Sequence, residues 1–248
     1  RGHAARRAPV GHHGRGCAVT ARIVGTPAEA VAGVTDGATV LVGGFGLAGM
    51  PFDLIEALID SGATDLTVVS NNAGNGDHGL AALLAAGRVR KVICSFPRQS
   101  DSWVFDVLYA DGRIELEVVP QGTLAERIRA AGAGIGAFYC PTSVGTPLAE
   151  GKEVRELDGR TYVLELPIHA DLALIAAHRA DHAGNLVYRK TARNFGPIMA
   201  TAAELVAVQV DEVVPTGSLD PETVVTPGIY PDRIVAVPTR HLAVAGAR

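Results

Sequence analysis

From Ala28 onward, short β-branched runs alternate with stretches of helical periodicity, and no other feature of the chain restricts its fold so strongly. Residues 39–42, 66–70, 92–96 and 114–119 are short, rich in Val, Ile and Leu, and bounded by turn residues, as buried strands are. Between them, residues 52–59, 79–86, 102–109 and 124–131 carry helical periodicity. Pro51 falls where the first helical position is expected, which suits its fixed φ. A βαβαβ rhythm of this kind implies an open, largely parallel twisted sheet, α/β in class, with flanking helices and right-handed crossovers.

The second half is richer in strand. "EVRELDGRTYVLELP" reads as a hairpin with Asp158-Gly159 as its turn, and residues 172–177, 205–210 and 234–237 are further strand candidates. No repeat or low-complexity linker interrupts the chain after residue 28. One domain over residues 24–240 is expected, with 241–248 as a C-terminal tail. Residues 1–23 carry five arginines and no acid, and are expected to be a disordered basic extension or a cloning remnant.

The rest of the chain holds 17 basic and 26 acidic residues, a net charge of −9, which argues against nucleic acid as a partner. With 48% apolar and 19% charged residues it can bury a large core. No apolar run approaches the roughly 20 residues that span a bilayer, and residues 1–22 lack a signal-like apolar centre. No membrane role and a cytoplasmic location are expected. The three cysteines, Cys17, Cys94 and Cys140, are odd in number and form no C-x-x-C pair, so reduced thiols are expected, with Cys94 buried in "KVICSF".

The stretch "VLVGGFGLAGMP" contains Gly44-x-Gly46-x-x-Gly49, following a strand and opening a helix as a dinucleotide fingerprint does. That fingerprint also needs an acid at the end of the second strand to hold a ribose hydroxyl. The chain offers Ser70-Asn71-Asn72 there, and Asp65 lies at the strand's other end. A nicotinamide oxidoreductase is therefore disfavoured, although the loop's N–H groups could still cradle an anion or a carbonyl oxygen.

The run from Asp36 to Pro51, "DGATVLVGGFGLAGMP", resembles the N-terminal signature of the family I CoA-transferases, in their α subunit. The resemblance continues through "SNNAGNGDHGL", "ICSFPRQ", "PQGTLAERIRAAGAGIGAFYCPT", "GNLVYRKTARNFGPIMATAA" and "VVTPGIYPDRIV", covering residues 24–238. It implies transfer of CoA between carboxylic acids by way of a glutamate that attacks the thioester and carries a glutamyl-CoA intermediate. The family's glutamate lies in Ser-Glu-Asn-Gly on the second subunit, and no glutamate here has that context. Glu126, in "LAERIR", is expected to face solvent or pair with Arg127 or Arg129. The resemblance thus implies half of an enzyme, with no catalytic nucleophile on this chain. A β subunit would complete it, in an α2β2 assembly, with acyl-CoA and carboxylic acids as substrates.

By the same resemblance, Gly43, Gly44, Phe45 and Gly46, with Asn71, Asn72 and Gln121, would line the substrate and CoA pocket. Neutral amides there can donate to an oxygen without a competing ion pair. Both asparagines alternatively merely close a turn. Arg98, in "SFPRQ", would either grip the distal carboxylate of a dicarboxylic acid or lie on an exposed loop. "ICSFPRQ" and "GNLVYRKTARNFGPI" are most similar to enzymes acting on succinyl-CoA and 3-oxoadipate in aromatic-compound breakdown. Relatives using acetoacetate share most other motifs. No metal or redox cofactor is implied, only the CoA thioester as substrate. The alternative from a third class is a non-catalytic acyl-CoA-binding module. His178-x-x-x-His182 has the i,i+4 spacing of a helical pair but no third metal ligand, and His12-His13 belongs to the basic extension. "YRKTARNF" reads as structural packing, with a CoA contact as the weaker option.

Overall fold

The computed structural model describes residues 21–237. Its first half runs β1 (Arg22–Val24), α1 (Pro27–Val31), β2 (Thr39–Val42), α2 (Phe52–Asp60), β3 (Leu66–Val69), α3 (Leu80–Ala85), β4 (Val89–Cys94), α4 (Trp103–Ala110), β5 (Glu115–Val118) and α5 (Gln121–Gly132). Then follow β6 (Phe138–Cys140), β7 (Val154–Leu157), β8 (Arg160–Glu165), β9 (Ala170–Asp181), β10 (Leu186–Val187), α6 (Gly196–Met199), β11 (Ala203–Val214) and β12 (Arg233–Ala236).

The large sheet is ordered β1-β12-β11-β9-β2-β3-β4-β5, with every neighbouring pair parallel, and β10 adds antiparallel to β9. Alternate residues of the same strands feed two cores. Val40, Val68, Val92 and Leu174 pack under α1 to α4, whereas Leu41, Val69, Ile93 and Ile175 pack under α5 and α6. Burial on both faces explains why these strands read as continuous apolar runs rather than alternating ones. The small sheet β6-β8-β7 is antiparallel, and its β7–β8 turn has positive φ at Asp158 (49°) and Gly159 (73°), the type I′ geometry that matches strand twist. It is tied to the domain through Arg127 of α5, whose Nε donates to Leu166 O at 2.7 Å and lies 4.0 Å from the buried Glu165 carboxylate.

Several expectations are corrected. Arg22 and Ile23, expected to belong to a disordered extension, form β1 with Val24 and pair with β12. Residues 1–20 and 238–248, which include Cys17, His12, His13 and the proposed tail, lie outside the described residues. Pro51 is the residue before the helix, at φ −85° and ψ 71°, and α2 starts at Phe52. The helix expected at 124–131, α5, begins at Gln121 instead, because Pro120 ends the strand and starts the turn into it. His178 lies in β9 and His182 just after it, so their spacing is not helical. The β9 strand outruns the apolar stretch because β11 pairs with it along its length, from Ala170↔Ala203 to Asp181↔Val214.

Candidate active site

The strand order reverses direction between β2 and β9: β3, β4 and β5 step outward on one side, β11, β12 and β1 on the other. Loops leaving the carboxyl ends of the two central strands diverge, which opens a crevice. A cleft of about 450 Å³ lies there, between the start of α2, the outer half of β9 and β11, and the Arg189–Lys190 segment. Inside it, His178 Nδ1 and Asp211 Oδ2 face each other across the β9–β11 pair at 2.8 Å. The cleft is not lined by Gly43, Gly44, Phe45, Gly46, Asn71, Asn72, Arg98 or Gln121. Those residues lie at the adjoining carboxyl edge of β2 to β5.

The glycine loop edges the cleft through Leu47 to Met50, and its geometry differs from an anion cradle. The N–H groups of Gly43, Gly44 and Phe45 donate to Leu174 O (2.9 Å), Asn194 Oδ1 (3.2 Å) and Ala48 O (3.0 Å). Among the described residues, Gly46 N–H has no acceptor. The start of α2 is closed as well, since Gln209 Oε1 accepts from Asp53 N–H and Leu54 N–H at 3.1 and 3.3 Å, capping the helix from β11. Any ligand contact by Gly43, Gly44 or Phe45 therefore falls to other atoms, such as the Phe45 ring, which is 51% exposed. Asn194 clamps the loop. Its Oδ1 accepts from Gly44 and Phe195 N–H, and its Nδ2 donates to Ala48 O and Thr191 O. "YRKTARNF" thus packs against the glycine loop, while its Arg189 and Lys190 line the cleft.

Asn71, 2% exposed, lies two residues past the end of β3. Its Oδ1 accepts from Gln121 Nε2, the first residue of α5, at 2.7 Å and from Ser95 Oγ at 2.7 Å. Three strand ends are thereby joined through one amide oxygen. Asn72 takes the turn role, with its Oδ1 accepting from Gly74 N–H at 2.9 Å, yet its Nδ2 and the neighbouring Ser70 Oγ are buried without partners. Orphaned buried donors are rare and concentrate where a structure holds groups for another purpose. Arg98 does not join this cluster. Its Nε donates to Asp106 Oδ1 at 2.6 Å, and the head is 65% exposed on the β4–α4 loop. Gln99 beside it nonetheless lies close to Gly46. Glu126 pairs with Arg129 at 2.9 Å on the surface of α5.

Cys94 is fully buried, which pushes its thiol up to about 12, slightly offset by a hydrogen bond from the Phe96 backbone. Burial also raises Cys140, but hydrogen bonds to the Thr142 hydroxyl and backbone and to Thr123 outweigh it and leave that thiol below its ordinary value. Because the thiolate is the reactive form, iodoacetamide should label Cys140 in the folded protein at neutral pH and Cys94 only after unfolding. Peptide mass mapping reads this directly, and native labelling of Cys94 would contradict the packing of β4. Among the described residues no group of three His, Cys, Asp or Glu side chains is placed to hold a metal, and no helix is long and apolar enough to cross a membrane.

An open parallel sheet with a crevice where its strand order reverses, edged by uncharged amides, defines an α/β enzyme subunit that binds at its strand ends. The chain belongs to the coenzyme A transferase family, whose model matches residues 24–237. The α subunit of the 3-oxoadipate CoA-transferase from Pseudomonas putida is 70% identical over 210 residues, covering 85% of this chain and 91% of that one. The α subunit of a succinyl-CoA:3-ketoacid coenzyme A transferase from Xanthomonas campestris is 54% identical, covering 86% and 88%. The acyl-CoA transferase YdiF from Escherichia coli O157:H7 superimposes with a TM-score of 0.80 at 25% identity, over 89% of this chain and 48% of that one. The chain thus spans about half the length of the E. coli enzyme.

Sequence reasoning placed Asn71 and Gln121 at strand ends but missed Ser95, Asn194 and Gln209. Gly44 and Asn194 are 150 positions apart and Leu54 and Gln209 are 155 apart, separations over which local pattern carries no signal.

Proposed function

We propose that this chain is the α subunit of a CoA-transferase that moves CoA from succinyl-CoA to 3-oxoadipate in the breakdown of aromatic compounds. The observation that carries this reading is the 70% identity to the α subunit of the P. putida 3-oxoadipate enzyme, against 54% to the Xanthomonas relative. A β subunit completes the enzyme, in the cytoplasm, as α2β2, without metal, redox cofactor or nucleic acid. Its glutamate attacks the succinyl-CoA carbonyl, and the C–S bond breaks to leave an anhydride and CoA thiolate. The thiolate then attacks the glutamyl carbonyl and releases succinate, leaving a glutamyl-CoA thioester. The carboxylate of 3-oxoadipate repeats the steps in reverse. This chain supplies neutral donors, Asn71 Nδ2 and Gln121 Nε2, to an oxygen of the substrate, where a fixed dipole stabilises developing negative charge.

Arg98 is the residue proposed to hold the distal carboxylate of succinate or 3-oxoadipate. Its Nε is engaged by Asp106, which leaves the rest of the fork free among the described residues. That same ion pair favours a second reading, a succinyl-CoA:acetoacetate enzyme, in which Arg98 stays on Asp106 and has no ligand role.

The test is CoA transfer from succinyl-CoA to 3-oxoadipate and to acetoacetate, by the chain alone and co-purified with a β subunit. Activity is expected only in the pair, with 3-oxoadipate preferred. Arg98→Ala should lower kcat/KM for 3-oxoadipate by roughly 10- to 100-fold, the size of a lost charge-assisted hydrogen bond, and leave acetoacetate nearly unaffected. Equal losses on both acids would remove Arg98 from the site. Turnover by the chain alone would place the nucleophile here.

A further inference from the structure

An asparagine side chain is nearly symmetric in shape, so only its partners decide which end presents oxygen and which presents N–H. At Asn71 those partners can be counted. The backbone oxygen of Asn71 already accepts from Ser95 N–H at 3.2 Å and Phe96 N–H at 3.1 Å, one donor for each lone pair. The Ser95 hydroxyl lies 3.1 Å from that oxygen but 2.7 Å from Asn71 Oδ1. Its single proton therefore goes to Oδ1. Gln121 Nε2 supplies the second donor to Oδ1 at 2.7 Å. With both lone pairs filled, the amide oxygen has nothing left to offer a ligand, and Nδ2 is the free end of the group.

We propose that Ser95 is a positioning residue, whose hydroxyl locks the Asn71 amide so that Nδ2 points its N–H groups at the oxygen of the carboxyl or thioester substrate. The inference rests on the proposed transferase reading, in which Asn71 donates to substrate. Ser95 itself touches no substrate. Its effect passes through Asn71 and, by the shared oxygen, fixes the direction of the Gln121 amide across the ends of β3, β4 and α5. Without the hydroxyl, Asn71 Oδ1 keeps only one donor and the amide gains a flipped state that turns oxygen toward the incoming carboxylate, where like charges repel.

The experiment is a double-mutant cycle on the co-purified subunit pair, read as kcat and KM for CoA transfer to the preferred acid. Ser95→Ala should lower kcat by roughly three- to tenfold, the worth of one hydrogen bond, with KM changed less. Ser95→Thr, which keeps the hydroxyl, should restore most of the loss. In an Asn71→Ala background, Ser95→Ala should have no further effect on kcat, because residues acting as one unit are not additive. A merely structural serine would instead lower the thermal midpoint in both backgrounds and reduce kcat equally in each. Full activity of Ser95→Ala, or equal losses with and without Asn71, would overturn the positioning role while leaving the transferase reading intact. A wild-type pair that transfers CoA to no acid would overturn the reading itself.

Discussion

Gly49→Ala is expected to lower the thermal midpoint of the chain by roughly 6–12 °C and to remove most of its contribution to turnover. Gly49 sits at φ +74°, a region that disfavours side chains by about 1–2 kcal/mol. The larger effect is spatial. A Cβ there would lie 2.4 Å from Ala192 O and 3.0 Å from Asn194 Nδ2, so the backbone of the 190–195 segment must move. Together the two effects come to about 3 kcal/mol, near the large end for a single substitution, and each kcal/mol moves the midpoint of a chain this long by about 2–4 °C. Gly62→Ala separates the contributions, since Gly62 has a similar φ of +82° but open space around it. It should cost about a third as much and leave activity unchanged. Differential scanning calorimetry of both variants gives the comparison, and equal midpoints would show that the glycine loop does not need its close approach.

Asn194→Asp should destabilise the chain by about 2–3 kcal/mol at pH 7 and do so less as the pH falls. The carboxylate is the same shape as the amide but has no donor. It loses the bonds from Nδ2 to Ala48 O and Thr191 O, each 2.9 Å, at about 1 kcal/mol apiece, and faces two carbonyl oxygens with negative charge. Against this, Oδ1 would accept more strongly from Gly44 and Phe195 N–H, the latter at the start of α6. That gain is about 0.5–1 kcal/mol, because α6 is a single turn, so the loss wins. Repulsion raises the new carboxyl group's pKa in the folded state above its unfolded value of about 3.9. A group raised in this way is least harmful below the unfolded pKa and reaches its full penalty once the pH has risen through the folded one. Urea unfolding at pH 7 and pH 5 should therefore show a smaller gap from wild type at the lower pH. A gap that widens on acidification would mean Nδ2 does not hold those carbonyls.

The two substitutions act on one contact, and that contact marks where the sequence stopped being informative. The strands β2 to β5 and their helices were legible because their periodicity is local: each run of Val, Ile and Leu is short, and each helix repeats over a few turns. Asn71 and Gln121 were legible for the same reason, being polar residues that follow two of those strands. Pro51 and the start of α5 were misplaced by a few residues, since proline fits both the position before a helix and its first turn. His178 was read at helical spacing because "HRADHAGN" carries polar residues on both faces. In the structure it lies where β9 has extended past β2 alongside β11, and Ala176, Ala177 and His178 line the cleft.

The sequence by itself determined the class of fold, the strands β2 to β5 and the family. Each of these depends on residue type and spacing along a continuous segment. Only the tertiary structure decided the strand order, and with it the reversal between β2 and β9 that opens the crevice. It also decided that Asn194 closes the glycine loop, that Gln209 caps α2, that Ser95 shares an oxygen with Gln121, and that Arg98 rests on Asp106. Those contacts join segments whose meeting depends on how the whole sheet is assembled, a collective outcome of burying two apolar faces at once that no single stretch of chain encodes.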